Sequence, residues 1–121
     1  MSALVWICVG LAGGAGALLR FRLDTQVQAR VAGELPIGTL VVNLAGSFCL
    51  GLLTGLSLTG DTLLLAGTGL LGSFTTFSTW MLETERLGEE GEARLAFANL
   101  AVSFGGGLAA AALGWALGAA L

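Results

Sequence analysis

Residues 70–82 read LLGSFTTFSTWML, a run of hydroxyls and rings inside a segment otherwise apolar enough to cross a bilayer. Gly72, Ser73, Thr75, Thr76, Ser78 and Thr79 occupy its centre, with Phe74, Phe77 and Trp80 between them. Glycine is costly in a helix interior, threonine crowds the preceding turn, and hydroxyls compete for backbone carbonyls. The run therefore predicts a helix broken at membrane depth, which lipid tolerates only where protein or an ion pathway lines the freed backbone. Asn43 lies in another apolar segment, and Asn99 and Ser103 stand one turn apart in a third. An amide there must face either a neighbouring helix or a pore.

The chemistry open to these groups is bounded by what is missing. Histidine, lysine and tyrosine are absent, which excludes histidine acid–base work and histidine metal sites. No Asp or Glu lies within the first, second or fourth apolar segment, and Glu83 stands only at the end of the third. Amides, hydroxyls and freed backbone N–H groups remain, and donors without compensating carboxylates suit an anion. The positive edges of Phe74, Phe77 or Trp80 could touch a small anion, although rings three apart on a helix also serve plain packing. Carbonyls released by the break would cradle a cation. No nucleophile–base pair or phosphate-cradling loop is present, so the chain is not expected to be an enzyme or to bind nucleic acid.

The elements that must hold these groups follow from composition. Of 121 residues 55% are hydrophobic and only 11% charged, which puts the chain in the membrane class and leaves no room for a soluble domain. A single transmembrane domain over 1–121 is expected, all-α, with four spans at about 3–20, 37–58, 62–83 and 95–120. The first is not read as a cleaved signal peptide, because its positive charge follows the apolar core. Between the first two spans, polar residues with Leu23, Val27 and Val31 spaced by four predict a short amphipathic interfacial helix over about 22–33. Pro36 then opens the second span, where Thr39, Asn43, Ser47 and Thr54 fall on one side. Pairs such as Gly10/Gly14, Gly51/Gly55 and Gly114/Gly118 sit one turn apart and would let helix backbones approach closely. Cys8 and Cys49 read as small apolar residues.

With four spans, the segments after the first and third share a side and hold all five arginines, Arg20, Arg22, Arg30, Arg86 and Arg94. The positive-inside rule places that side in the cytoplasm and both termini outside.

The chain resembles the small Fluc-type fluoride channels, also called the CrcB family. Three motifs carry the likeness across all four spans: GGAGALLRF (13–21), IGTLVVNLAGSFCLG (37–51) and GSFTTFSTW (72–80). The resemblance implies a passive fluoride channel in the bacterial plasma membrane that lets the ion leave the cytoplasm. It implies an antiparallel, inverted dimer with two pores and a sodium ion at the dimer centre. Carried over by position, the sodium donors are the backbone carbonyls of Gly72 and Thr75. Asn43, Phe77, Trp80, Ser103, Asn99 and Thr79 correspond to pore or anion-track residues, and Arg20 to a vestibule arginine. Trp80 departs from the usual phenylalanine. The arginine bias is a second departure, and it leaves open whether the dimer forms from two copies or with an oppositely oriented paralogue. A small multidrug exporter, the nearest rival with four spans, would need a carboxylate embedded in its first span, and none is there. A non-transporting membrane assembly subunit, in which the asparagines serve packing alone, is the other alternative.

Overall fold

The computed structural model describes residues 2–121, all-helical with no strand among them. Helix α1 spans Ala3–Arg30 and α2 spans Ile37–Gly55. The third crossing is composite: α3 (Gly60–Leu63), a π-helical segment (Leu64–Leu71), α4 (Gly72–Phe74) and, after a gap, α5 (Ser78–Glu89). Helix α6, Ala93–Ala120, closes the chain. Helices α1, α2 and α6 are each long and apolar enough to span a membrane. Together with the composite crossing they make a multi-pass membrane protein of four helical passes.

The separate interfacial helix expected over about 22–33 does not form. Helix α1 runs unbroken through it to Arg30, because leaving the bilayer does not end a helix and no glycine or proline intervenes between Phe21 and Arg30. Its 28 residues measure about 42 Å, so the last turns project beyond a hydrocarbon core of about 30 Å. Those turns cap the next helix. The Gln28 side chain accepts from the Gly38 N–H at 3.0 Å, and the Asp24 carboxylate packs against Gly38, so a negative group meets the positive end of α2. Gly33, at φ 113°, makes the turn between them. Helix α2 ends at Gly55, three residues short of the expected 58, where Ser57 takes a positive φ of 60°.

Burial is the reverse of a soluble protein's. Helix α6 buries Asn99, Ser103, Gly114 and Gly118 while Phe97 and Leu113 are exposed, as lipid solvent demands. The glycine pairs explain how the interior closes. Gly51 and Gly55 lie against the carbonyls of Ala111 and Trp115, and Gly114 and Gly118 against those of Phe48 and Leu52. Four backbone-to-backbone contacts thus seat α2 on α6. Gly10 and Gly14 have no such neighbour among the described residues. On the other side, Gly16 meets the Leu70 carbonyl and Gly69 approaches Val9 and Ala12, so α1 holds the π segment.

Valine at Gly51 or Gly114 would drive a branched side chain into a facing carbonyl. Each substitution is expected to cost about 1–3 kcal/mol, as overpacking does, and to lower the thermal midpoint in detergent. Gly88→Ala, where no atom lies within 4 Å, is expected to leave the midpoint unchanged or raise it. Equal midpoints for all three chains would contradict this packing.

Candidate functional site

The third crossing breaks where its hydroxyls are densest, and the bonds made there show why. The Thr75 hydroxyl and the Thr75 N–H both donate to the Leu71 carbonyl, at 3.1 and 3.0 Å. Thr75 itself is extended, φ −80° and ψ 160°, which turns its carbonyl away from the helix direction. In an uninterrupted helix the next N–H, that of Thr76, would bond the Gly72 carbonyl. It donates instead to Asn43 Oδ1 at 2.8 Å, and Asn43 Nδ2 donates to the Thr76 carbonyl, also at 2.8 Å. One side chain from α2 thus satisfies both polar groups of one peptide residue. Thr76 Oγ1 then accepts from the Thr79 N–H at 3.2 Å and donates to Thr79 Oγ1 at 3.0 Å, the work of an N-cap for α5.

Two consequences follow for carbonyls. The Thr76 and Thr79 N–H groups, natural partners of the Gly72 and Thr75 carbonyls, are spent elsewhere. Gly72 and Thr75 are therefore among the carbonyls of the break, with Ser73 and Phe74, that lack an i+4 donor, and hard oxygen atoms of this kind suit a small cation. Gly46 makes the arrangement possible on the α2 side, since a Cβ there would collide with the Thr75 methyl.

Two grooves meet at this junction, each carrying polar groups on partly apolar walls, and Thr76 lines both. The first, about 350 Å³, has Asn43, Ser47, Ser103, Phe77 and Trp80 on its walls and no ionisable residue among its lining groups. The second, about 210 Å³, is lined by Arg20, Asp24, Thr39 and Thr79. The Asn43 amide nitrogen carries a second N–H beyond the one given to Thr76, available to the first groove. Phe77 is 70% exposed in the single chain. Its ring stands perpendicular to that of Trp80, at 89° with centroids 5.6 Å apart, the edge-to-face geometry aromatic quadrupoles favour.

The residues singled out by sequence therefore divide. Asn43, Phe77, Trp80 and Ser103 come together on the first groove, and Arg20 and Thr79 on the second. Asn99 joins neither. It is 3% exposed and its amide donates to Thr84 Oγ1 at 2.8 Å. The polar side of α2 also splits: Thr39 faces the second groove, Asn43 and Ser47 the first, and Thr54 bonds back to the Leu50 and Gly51 carbonyls of its own helix. Glu83 sits apart, in a charged pocket with Glu34, Arg86 and Glu90. Sequence reasoning passed over Thr76 as a residue common to both grooves and Thr84 as a partner of Asn99. A threonine one turn after Trp80 was the available signal for the second.

Residues 7–115 match the family described as CrcB-like protein, Camphor Resistance (CrcB). The chain belongs to the CrcB-like family. It is 54% identical over 114 residues to a Mycobacterium tuberculosis protein named fluoride-specific ion channel FluC 2, covering 94% of this chain and 90% of that one. A Symbiobacterium thermophilum relative, fluoride-specific ion channel FluC 1, is 46% identical over 119 residues, 93% of this chain and 96% of the relative. A Haloarcula marismortui protein, fluoride-specific ion channel FluC 2, is 45% identical over 109 residues, 90% and 89% of the two chains.

Asn43→Ala removes both bonds to Thr76 and is expected to cost about 1–3 kcal/mol. Asn43→Leu keeps the bulk but offers neither a donor nor an acceptor, so its thermal midpoint is also expected below the parent's. Thermal unfolding in detergent reads both, and Asn43→Ala and Asn43→Leu chains as stable as the parent would remove the clamp.

Proposed function

We propose that this CrcB-like chain conducts fluoride passively across the membrane, lowering its concentration in the cytoplasm. The observation that carries the proposal is the Asn43–Thr76 junction, where two grooves holding neutral hydrogen-bonding groups among apolar walls meet at a broken helix. An anion in the first groove would find the spare Asn43 N–H, the Ser47 and Ser103 hydroxyls and the rings of Phe77 and Trp80 in place of water. No carboxylate opposes it there. Arg20, on the second groove, would draw an anion toward the junction from the arginine-rich end. The names carried by the relatives agree with this reading.

The functional unit we propose is an antiparallel dimer. The exposed Phe77 and Phe104 beside an open groove leave one wall of the path to be supplied by a second chain, and an inverted copy or an oppositely oriented paralogue would supply it. The arginine asymmetry favours the paralogue, because a chain with every arginine on one side is biased toward one orientation. A sodium ion at the dimer centre would rest on the Gly72 and Thr75 carbonyls of both chains. The loss of their i+4 donors fits those oxygens for it, and the bound charge would lower the cost of an anion nearby.

Liposomes loaded with potassium fluoride and made permeable to potassium test the proposal with a fluoride electrode. Purified chain, alone or with its paralogue, is expected to empty them far faster than protein-free liposomes. Phe77→Ala is expected to slow the release at least tenfold while the protein stays folded. A trace matching protein-free liposomes under both conditions would refute the proposal.

A further inference from the structure

Trp80 is tied to its surroundings by a closed circuit of hydrogen bonds. Its indole Nε1–H donates to the backbone carbonyl of Asn99 at 3.1 Å, Asn99 Nδ2 donates to Thr84 Oγ1 at 2.8 Å, and the Thr84 hydroxyl donates to the Trp80 backbone carbonyl at 2.8 Å. The circuit leaves Trp80 through its side chain and returns to it through its backbone. Every step is fixed in direction. An indole nitrogen only donates, a hydroxyl has a single proton, and once that proton goes to the Trp80 carbonyl the oxygen must accept from Asn99. Asn99 is 3% exposed, so water is a poor substitute for any of its partners.

We propose that Asn99 and Thr84 are positioning residues that hold the Trp80 backbone against α6, so that the Asn99 backbone carbonyl meets the indole N–H and sets the tilt of the Trp80 ring on the wall of the first groove. The inference rests on that groove being the anion path. Without the circuit, the indole could turn about its side-chain torsions, since Trp80 is only half-buried and borders an open hollow lined by Phe97 and Phe104. With it, the ring stays perpendicular to Phe77 at 5.6 Å. The device belongs to tryptophan alone. A phenylalanine at this position has no N–H to give, and Asn99 and Thr84 would then hold α5 to α6 without steering a ring.

That difference supplies the test. In a chain whose sole tryptophan is Trp80 (Trp6→Phe, Trp115→Phe), reconstituted in liposomes, ultraviolet resonance Raman reads the indole N–H bond and fluorescence anisotropy reads ring mobility. Asn99→Ala and Thr84→Val leave the residue 99 backbone carbonyl in place but release the Trp80 backbone from α6. They are therefore expected to lengthen the indole bond, weaken the N–H signature and lower the anisotropy, and Thr84→Ser, which keeps the hydroxyl, to restore both. Fluoride release should fall about tenfold with Asn99→Ala or Thr84→Val, the scale of one buried hydrogen bond. In a Trp80→Phe background the same two substitutions should change release by less than about twofold relative to Trp80→Phe itself, since no N–H remains to be steered. Equal losses in both backgrounds, or an indole signature untouched by Asn99→Ala and Thr84→Val, would overturn the proposal. If Trp80→Phe itself conducts nothing, the indole signature decides. A parent chain that releases no fluoride would refute the channel reading instead, with the circuit still judged by its spectra.

Discussion

The fold's functional region depends on one exchange of hydrogen bonds, in which the Asn43 side chain gives to and takes from the backbone of Thr76. Exposed peptide groups in a bilayer cost several kcal/mol each, so a helix cannot stop and restart there unless something takes over both groups at the gap. An amide does so with a separate donor and acceptor held in one plane. Alanine would satisfy neither group and a carboxylate only one. The other features of the break, from the Thr75 hydroxyl on Leu71 to the Thr76 cap of α5, complete what this exchange begins.

The same exchange accounts for the placement of polarity. Because Thr76 is held at α2, its neighbours Phe77 and Trp80 are carried to the groove that Asn43, Ser47 and Ser103 line, and Thr79 to the groove of Arg20 and Thr39. Glycine contacts provide the frame. Gly46 admits Thr75, Gly16 admits Leu70, and the four glycines between α2 and α6 bring Ser103 within reach of the junction. Small residues thus convert close backbone approach, the favourable mode of packing in lipid, into a site made of neutral donors.

Much of this was legible in the residues. A run of glycine, serine and threonine in an apolar segment announces a break, and the break falls at its centre, Thr75 to Phe77. Asn43 was legible as costly in lipid, yet its partner was not, because the Thr76 backbone lies 33 residues away and carries no sequence signature. Asn99 shows the limit of reasoning from residue type. A buried asparagine facing a pore and one facing a threonine look alike in sequence, and here tertiary packing chose the threonine. The π-helical turn over Leu64–Leu71 also escaped notice, since the wider winding leaves hydrophobicity unchanged and arises where Gly69 and Gly16 bring two backbones together. Helix α1 outlasted its expected end at Arg20 because charge marks where a span leaves lipid, whereas Gln28 reaches the Gly38 N–H, and Asp24 packs on Gly38, only by staying helical against α2.

Solid-state NMR of the chain in lipid bilayers tests the clamp most directly, with Asn43 labelled at its side-chain nitrogen and Thr76 at its carbonyl carbon. A clamped break predicts a strong dipolar coupling between the two labels, with Thr75 shifts of extended backbone flanked by helical ones. Helical shifts running without interruption from Gly72 to Thr79, and no coupling from Asn43 to Thr76, would contradict it.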